Sequence, residues 1–179
     1  MNVRKWCVSA LMTALLCVAA PFTIPVEPIP LSLATLFVYL AGALLGARDG
    51  CMAVAAYLLL GIAGLPVFTN FAGGLSKLAG PTGGYLVGYL PCVLLTGLAW
   101  EKFGGKIAAD AIGMVLGTAV LYAFGTMWYC VMSQTPFVAA LSVCVLPFLP
   151  GDAIKIVAAC AAARPLRKAV RAATRKRDT

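Results

Sequence analysis

The chain contains no histidine, and only 11% of its 179 residues are charged. The first absence removes the commonest metal ligand and general base. The second excludes an ordinary soluble domain, in which about 25% of residues carry charge. Acidic residues number six. Cysteine is present at positions 7, 17, 51, 92, 130, 144 and 160 but never in CxxC spacing, so these residues read as small buried apolar groups and no metal is expected. No segment resembles a nucleoside-triphosphate site: Gly104-Gly105-Lys106-Ile107 echoes a phosphate loop, but Glu101 stands where the leading glycine belongs and no Ser or Thr follows the lysine.

What is present is apolar length. Hydrophobic residues make up 62% of the chain, which predicts an all-α integral membrane protein forming a single transmembrane domain over residues 1–179. Its length suits six spans of about 20 residues. The apolar run behind Arg4 and Lys5 has the outline of a secretory leader. The rest of the chain is equally apolar, so a retained first span is expected. Spans are predicted at about 6–20, 31–45, 51–62, 83–100, 107–132 and 151–163. Gly46–Gly50 and Glu101–Lys106 are the tight turns between them. Pro21, Pro25, Pro28 and Pro30 enforce an extended loop, residues 64–83 form a long Gly/Pro-rich one, and Pro136 and Pro147 bracket a short extra helix.

All but Lys77 and Lys155 of the 14 basic residues fall on one side of this arrangement. The positive-inside rule then places both termini in the cytoplasm, with residues 164–179 as a basic tail. That tail lacks aromatic residues to stack on bases, so an anchor at anionic lipid is expected and nucleic acid is not. The long loops lie outside and carry Ser32, Thr35, Asn70, Lys77 and Thr82. Irregular backbone at membrane depth is tolerated where it lines a cavity, so these loops predict a ligand cavity open to the outer side, with residues 65–83 as a lid.

One pair of charges stands out. Asp152 and Lys155 lie three positions apart in an otherwise apolar segment. Each costs about 2.5–3.5 kcal/mol at a bilayer centre, and i, i+3 residues share a helix face. They read as a paired polar site, or as interfacial residues with Lys155 snorkelling to water. In Gly80-Pro81-Thr82-Gly83-Gly84-Tyr85, a helix starts at or just after the glycines, and its free N–H groups could hold a carbonyl or carboxylate; a plain helix entry is the alternative. Ala10 and Ala14, flanked by Ser9 and Thr13, make a flat stripe suited to close helix packing, either within the chain or against a partner.

These segments resemble a known family. Pro21-Phe22-Thr23-Ile24-Pro25, Pro30-Leu31-Ser32-Leu33-Ala34-Thr35-Leu36, Gly64-Leu65-Pro66-Val67-Phe68, Gly80 to Tyr85, and Leu146 to Asp152 with Lys155 are, in order, similar to the BioY family, the biotin-binding S components of energy-coupling-factor transporters. The resemblance covers about residues 10–160. It implies six helices, a biotin site at the outer side, a transmembrane T component and two cytoplasmic ATPases as partners, and a prokaryotic cell membrane as location. Ala10 and Ala14 match the small-residue motif that meets the T component. Biotin offers ureido N–H donors, a carbonyl, an apolar bicycle and a carboxylate. Asp152 can accept the N–H bonds, Lys155 can meet the carbonyl or carboxylate, and Tyr85 and Phe68 can pack on the bicycle. The family usually has Gln where this chain has Ala34. No catalytic constellation or cofactor is expected; the alternatives are an S component for another vitamin and a self-sufficient facilitator.

Overall fold

The computed structural model describes residues 3–24, 31–103 and 106–175. The predicted prolines 25, 28 and 30, the Gly104-Gly105 turn and the last four tail residues lie outside these. Helix α1 spans Val3–Ala19 and stops before Pro21, which cannot continue it. Strands β1 (Thr23–Ile24) and β2 (Leu31–Ser32) pair antiparallel, Thr23 opposite Ser32. Helix α2 covers Ala34–Ile62, the short α3 Leu75–Leu78, α4 Gly83–Phe103, α5 Ile107–Ser133, α6 Phe137–Cys144 and α7 Leu149–Arg175.

Helix α2 differs from the expected span–turn–span. The turn is one residue, Gly46, with φ 85°, a conformation that a Cβ would penalise. Residues 47–50, expected in the turn, are already helical. The two halves fold back on each other. A Cβ on Gly50 would sit 3.2 Å from the Ala41 carbonyl oxygen, whereas nine residues of straight helix span about 13 Å. Both ends of α2 also return to the same place: Leu33 N–H donates to Phe22 O, and Asn70 N–H to Pro21 O. The fold-back breaks the i→i−4 ladder. Ala47 N–H donates to Glu101 Oε1 at 2.9 Å, and Ala43 O, four residues earlier, accepts from Arg167 Nε at 2.7 Å. Charged side chains from α4 and α7 thus satisfy two of the backbone groups the break exposes.

Helices α2, α4 and α5 form the centre. Gly42 faces Val93 and Thr96 of α4, and Gly113 and Gly117 of α5 face Ala99 and Cys92, so these small residues serve packing within the chain. Many large apolar side chains point outward. Ile112, Val115, Leu116, Phe124, Met127 and Val131 of α5 are exposed, as are Ile154 and Val157 of α7, while threonines and ion pairs are buried. That is the distribution of a chain solvated by lipid. Three helices, α2, α4 and α5, are long and apolar enough to cross a membrane, and α6 with α7, bent by 50°, makes a fourth candidate. The protein is a multi-pass, all-helical membrane protein.

The loop after α2 is folded. Phe68 and Ala72 bridge around a 3-10 turn at Thr69–Phe71. Phe68, expected to pack on a ligand, is fully buried over Gly61 and meets Tyr57 edge-on at 5.6 Å; it is core. The basic tail also departs from expectation. Helix α7 continues through Pro165, and Arg167 turns inward to Asp110 at 2.9 Å with its guanidinium 5.2 Å from the Trp100 ring centre.

A glycine contact at the hairpin yields a stability prediction. A Cβ on Gly97 would overlap Ala47 N and Cα, backbone against backbone at the hairpin. Gly97→Ala should cost about 1–3 kcal/mol, as overpacking does, and lower the Tm of the detergent-purified protein; an unchanged Tm would mean that the α2–α4 contact is slack.

Candidate ligand site

The two charges of the apolar segment meet. Asp152 lies in the first turn of α7, where a carboxylate favours the helix dipole, and Lys155 follows one turn later. Lys155 Nζ donates to Asp152 Oδ1 at 2.9 Å, to Thr35 Oγ1 at 2.9 Å and to the Ser32 carbonyl at 2.7 Å. An ammonium has three hydrogens, and all are engaged. Asp152 also accepts from Thr35 Oγ1 at 3.2 Å and, on Oδ2, from Tyr122 at 2.6 Å. Asp152 is 4% and Lys155 7% exposed. Lys155 therefore does not snorkel; it ties α7 to the start of α2.

Around this pair lies a cavity lined by the polar groups of Ser32, Thr35, Thr69, Thr82, Asp152 and Lys155 and the rings of Tyr85, Tyr89, Tyr122 and Phe148, closed by Leu86 and Leu121. Local sequence explains the placement. Ser32 Oγ accepts Ala34 N–H at 3.0 Å and donates to Ala20 O, which fixes the entry to α2 and aims Thr35 at α7. Tyr85, in the first turn of α4 after the Gly83-Gly84 entry, donates to Cys144 O at 2.9 Å and holds α6 over the cavity. The arrangement has no net charge, offers donors and acceptors close together, and supplies flat apolar walls. It suits a small polar ring fused to an apolar body.

The residues singled out in the sequence divide. Ser32, Thr35, Thr82, Tyr85, Asp152 and Lys155 line the cavity. Asn70 and Lys77 do not: Asn70 is exposed at φ 60° and its Oδ1 accepts from Thr23 Oγ1, and Lys77 lies within the four-residue α3. Ala34 is buried beside the site without lining it. Ala10 and Ala14 are exposed on α1, whereas Thr13 turns inward and donates to Ala53 O at 3.0 Å, so the outward stripe does not include it. Sequence reasoning missed Thr69, Tyr89, Tyr122 and Phe148. A signal for Tyr122 was available: Asp110, Thr118, Tyr122 and Thr126 recur at multiples of four in an otherwise apolar span, marking one inward face.

Residues 1–172 match the profile of the BioY family. The chain belongs to the BioY family. It is 39% identical over 168 residues to the biotin transporter BioY of Thermotoga maritima, covering 92% of this chain and 96% of that one. It is 33% identical over 167 residues to a probable biotin transporter BioY of Pyrococcus horikoshii, covering 93% and 98%. Among solved structures, the crystal structure of the S-component for biotin from an ECF-type ABC transporter superposes with a TM-score of 0.87 at 32% identity, covering 93% of this chain and 92% of that one.

Proposed function

We propose that this BioY protein is the biotin-binding S component of an energy-coupling-factor transporter in a prokaryotic cell membrane, a transport subunit and not an enzyme. The observation that carries the reading is the buried Asp152–Lys155 pair in an aromatic cavity on a chain with the fold of a biotin S-component. The six spans are α1, the two halves of α2, α4, α5 and α7. With the basic residues counted as before, both termini are cytoplasmic and the cavity opens outward.

The chemistry follows from the free valences. Asp152 can accept ureido N–H bonds, and Tyr122 holds that carboxylate in place. Lys155 can meet the biotin carbonyl or carboxylate, but only by giving up one of its three present bonds, so binding rearranges the cluster. Tyr85, Tyr89 and Phe148 flank the bicycle. Tyr89, Thr69 and Thr82 add hydroxyls, and residues 65–83, which carry the last two, act as a lid. Asn70 and Lys77 reach the ligand only if that loop moves. The chain has no nucleotide-binding loop, so ATP-driven uptake requires a T component and two cytoplasmic ATPases. Ala10 and Ala14, small and exposed on α1, are the docking face for the T component.

Asp152→Asn and Lys155→Ala should each weaken biotin binding by at least about 3 kcal/mol, the scale on which breaking a buried pair strands its partner. Calorimetry on folded, detergent-purified variants is the check, and wild-type affinity in both would remove the pair from the site. Ala10→Trp should leave biotin binding intact and abolish both co-purification with the T component and ATP-driven uptake. Normal uptake by this variant would favour a self-sufficient facilitator or a different docking face.

A further inference from the structure

Helix α7 is fastened to the same two helices at both of its ends, by polar contacts. At the ligand site Lys155 holds Ser32 of β2, just before α2, and Thr35 in the first turn of α2, and Asp152 holds Tyr122 of α5. Twelve residues on, about 18 Å along the helix, Arg167 holds Ala43 of α2 and Asp110 of α5. Between the two fastenings the buried α7 residues are small: Ala159, Cys160 and Ala163. Small side chains give little relief for ridges and grooves to lock, so packing alone sets the axial position of α7 weakly. A slip of one residue is about 1.5 Å, enough to carry Lys155 Nζ out of hydrogen-bond range of the Ser32 carbonyl.

We infer that Arg167 is a positioning residue for the ligand site, pinning the register of α7 so that Asp152 and Lys155 address the cavity. The inference rests on the assignment of that cavity to biotin. Its logic lies in the liganded state. Every hydrogen of Lys155 is engaged in the ligand-free protein, so a ligand that takes one loosens the near fastening, and the far one keeps α7 in register. The far fastening is suited to this. It is buried, it satisfies a backbone carbonyl that the Gly46 break exposes, and it sits where α2, α4, α5 and α7 meet. It is also incompletely satisfied. Arg167 Nη2 and Asp110 Oδ1 are buried without hydrogen-bond partners among the described residues. Buried charged groups left short of partners are costly, so a role beyond stability accounts for keeping them.

The test removes both charges together. Arg167→Met with Asp110→Leu replaces the pair by apolar groups, a change that is often neutral for stability. The double variant should keep a Tm near wild type, bind biotin at least tenfold more weakly, and show faster amide hydrogen exchange at residues 152–156 without ligand. Wild-type affinity and wild-type exchange in a folded double variant would overturn the inference. Should the double variant not fold, Arg167→Lys keeps the charge opposite Asp110 but replaces the two-atom grip, Nε on Ala43 and Nη1 on Asp110, by a single ammonium. A tenfold loss of biotin affinity in it supports the pin, and unchanged affinity overturns it. If the wild-type protein itself fails to bind biotin, the ligand assignment falls. The exchange comparison then decides the pin alone: faster exchange in either variant supports it, and wild-type exchange overturns it.

Discussion

The Asp152–Lys155 pair is the interaction on which the upper part of the structure depends. Two opposite charges one turn apart on a lipid-embedded helix would each be expensive alone. Buried together they neutralise one another, and the remaining valences reach outward to Ser32, Thr35 and Tyr122. The bonds that make the charges tolerable are therefore the bonds that join α7 to α2 and α5. The same bonds leave a neutral cluster with directional donors and acceptors facing a ring-lined cavity. Stability and recognition use one set of atoms here, which is why a ligand must exchange bonds with the protein instead of adding to them.

The opposite end of the bundle follows the same rule from a different cause. Gly46 reverses α2 in a single residue, and the reversal takes Ala47 N–H and Ala43 O to different partners. Glu101 and Arg167 supply them. Charged residues that would be costly in lipid are placed where the backbone is short of partners, and Asp110 balances Arg167. Between these two polar ends glycine, alanine and threonine let the helices approach around a core that includes Val38, Tyr39, Tyr57, Val93 and Leu121, while other large apolar residues, such as Ile112, Leu116, Phe124 and Val157, point outward.

Much of this was legible in the sequence because membrane constraints are coarse. Apolar runs, the Pro21 stop, the Pro136–Pro147 bracket and the Gly83 helix entry mark elements through local backbone chemistry. The six-residue motif ending in Tyr85 and the Asp152–Lys155 spacing lead to cavity-lining residues because rare polar groups in an apolar chain have few places to go. What sequence did not convey depended on tertiary neighbours. A five-residue turn at 46–50 and a one-residue reversal at Gly46 look alike until Gly50 is seen against Ala41. Arg167 looks like the other tail cations, and only the broken ladder of α2 explains why it turns inward. Phe68 looks like a ligand-facing ring, but Gly61 leaves a slot that takes it into the core. Asn70 and Lys77 share a loop with Thr69 and Thr82, yet loop geometry separates them from the cavity.

Asp152 and Lys155 act as one unit. A thermal-unfolding double-mutant cycle on the ligand-free protein, with Asp152→Asn, Lys155→Met and both together, measures this directly. Removal of either partner should destabilise by about 3–5 kcal/mol, and the double variant should lose clearly less than the sum of the singles. Additivity of the two losses within about 0.5 kcal/mol, the behaviour of independent sites, would contradict the account.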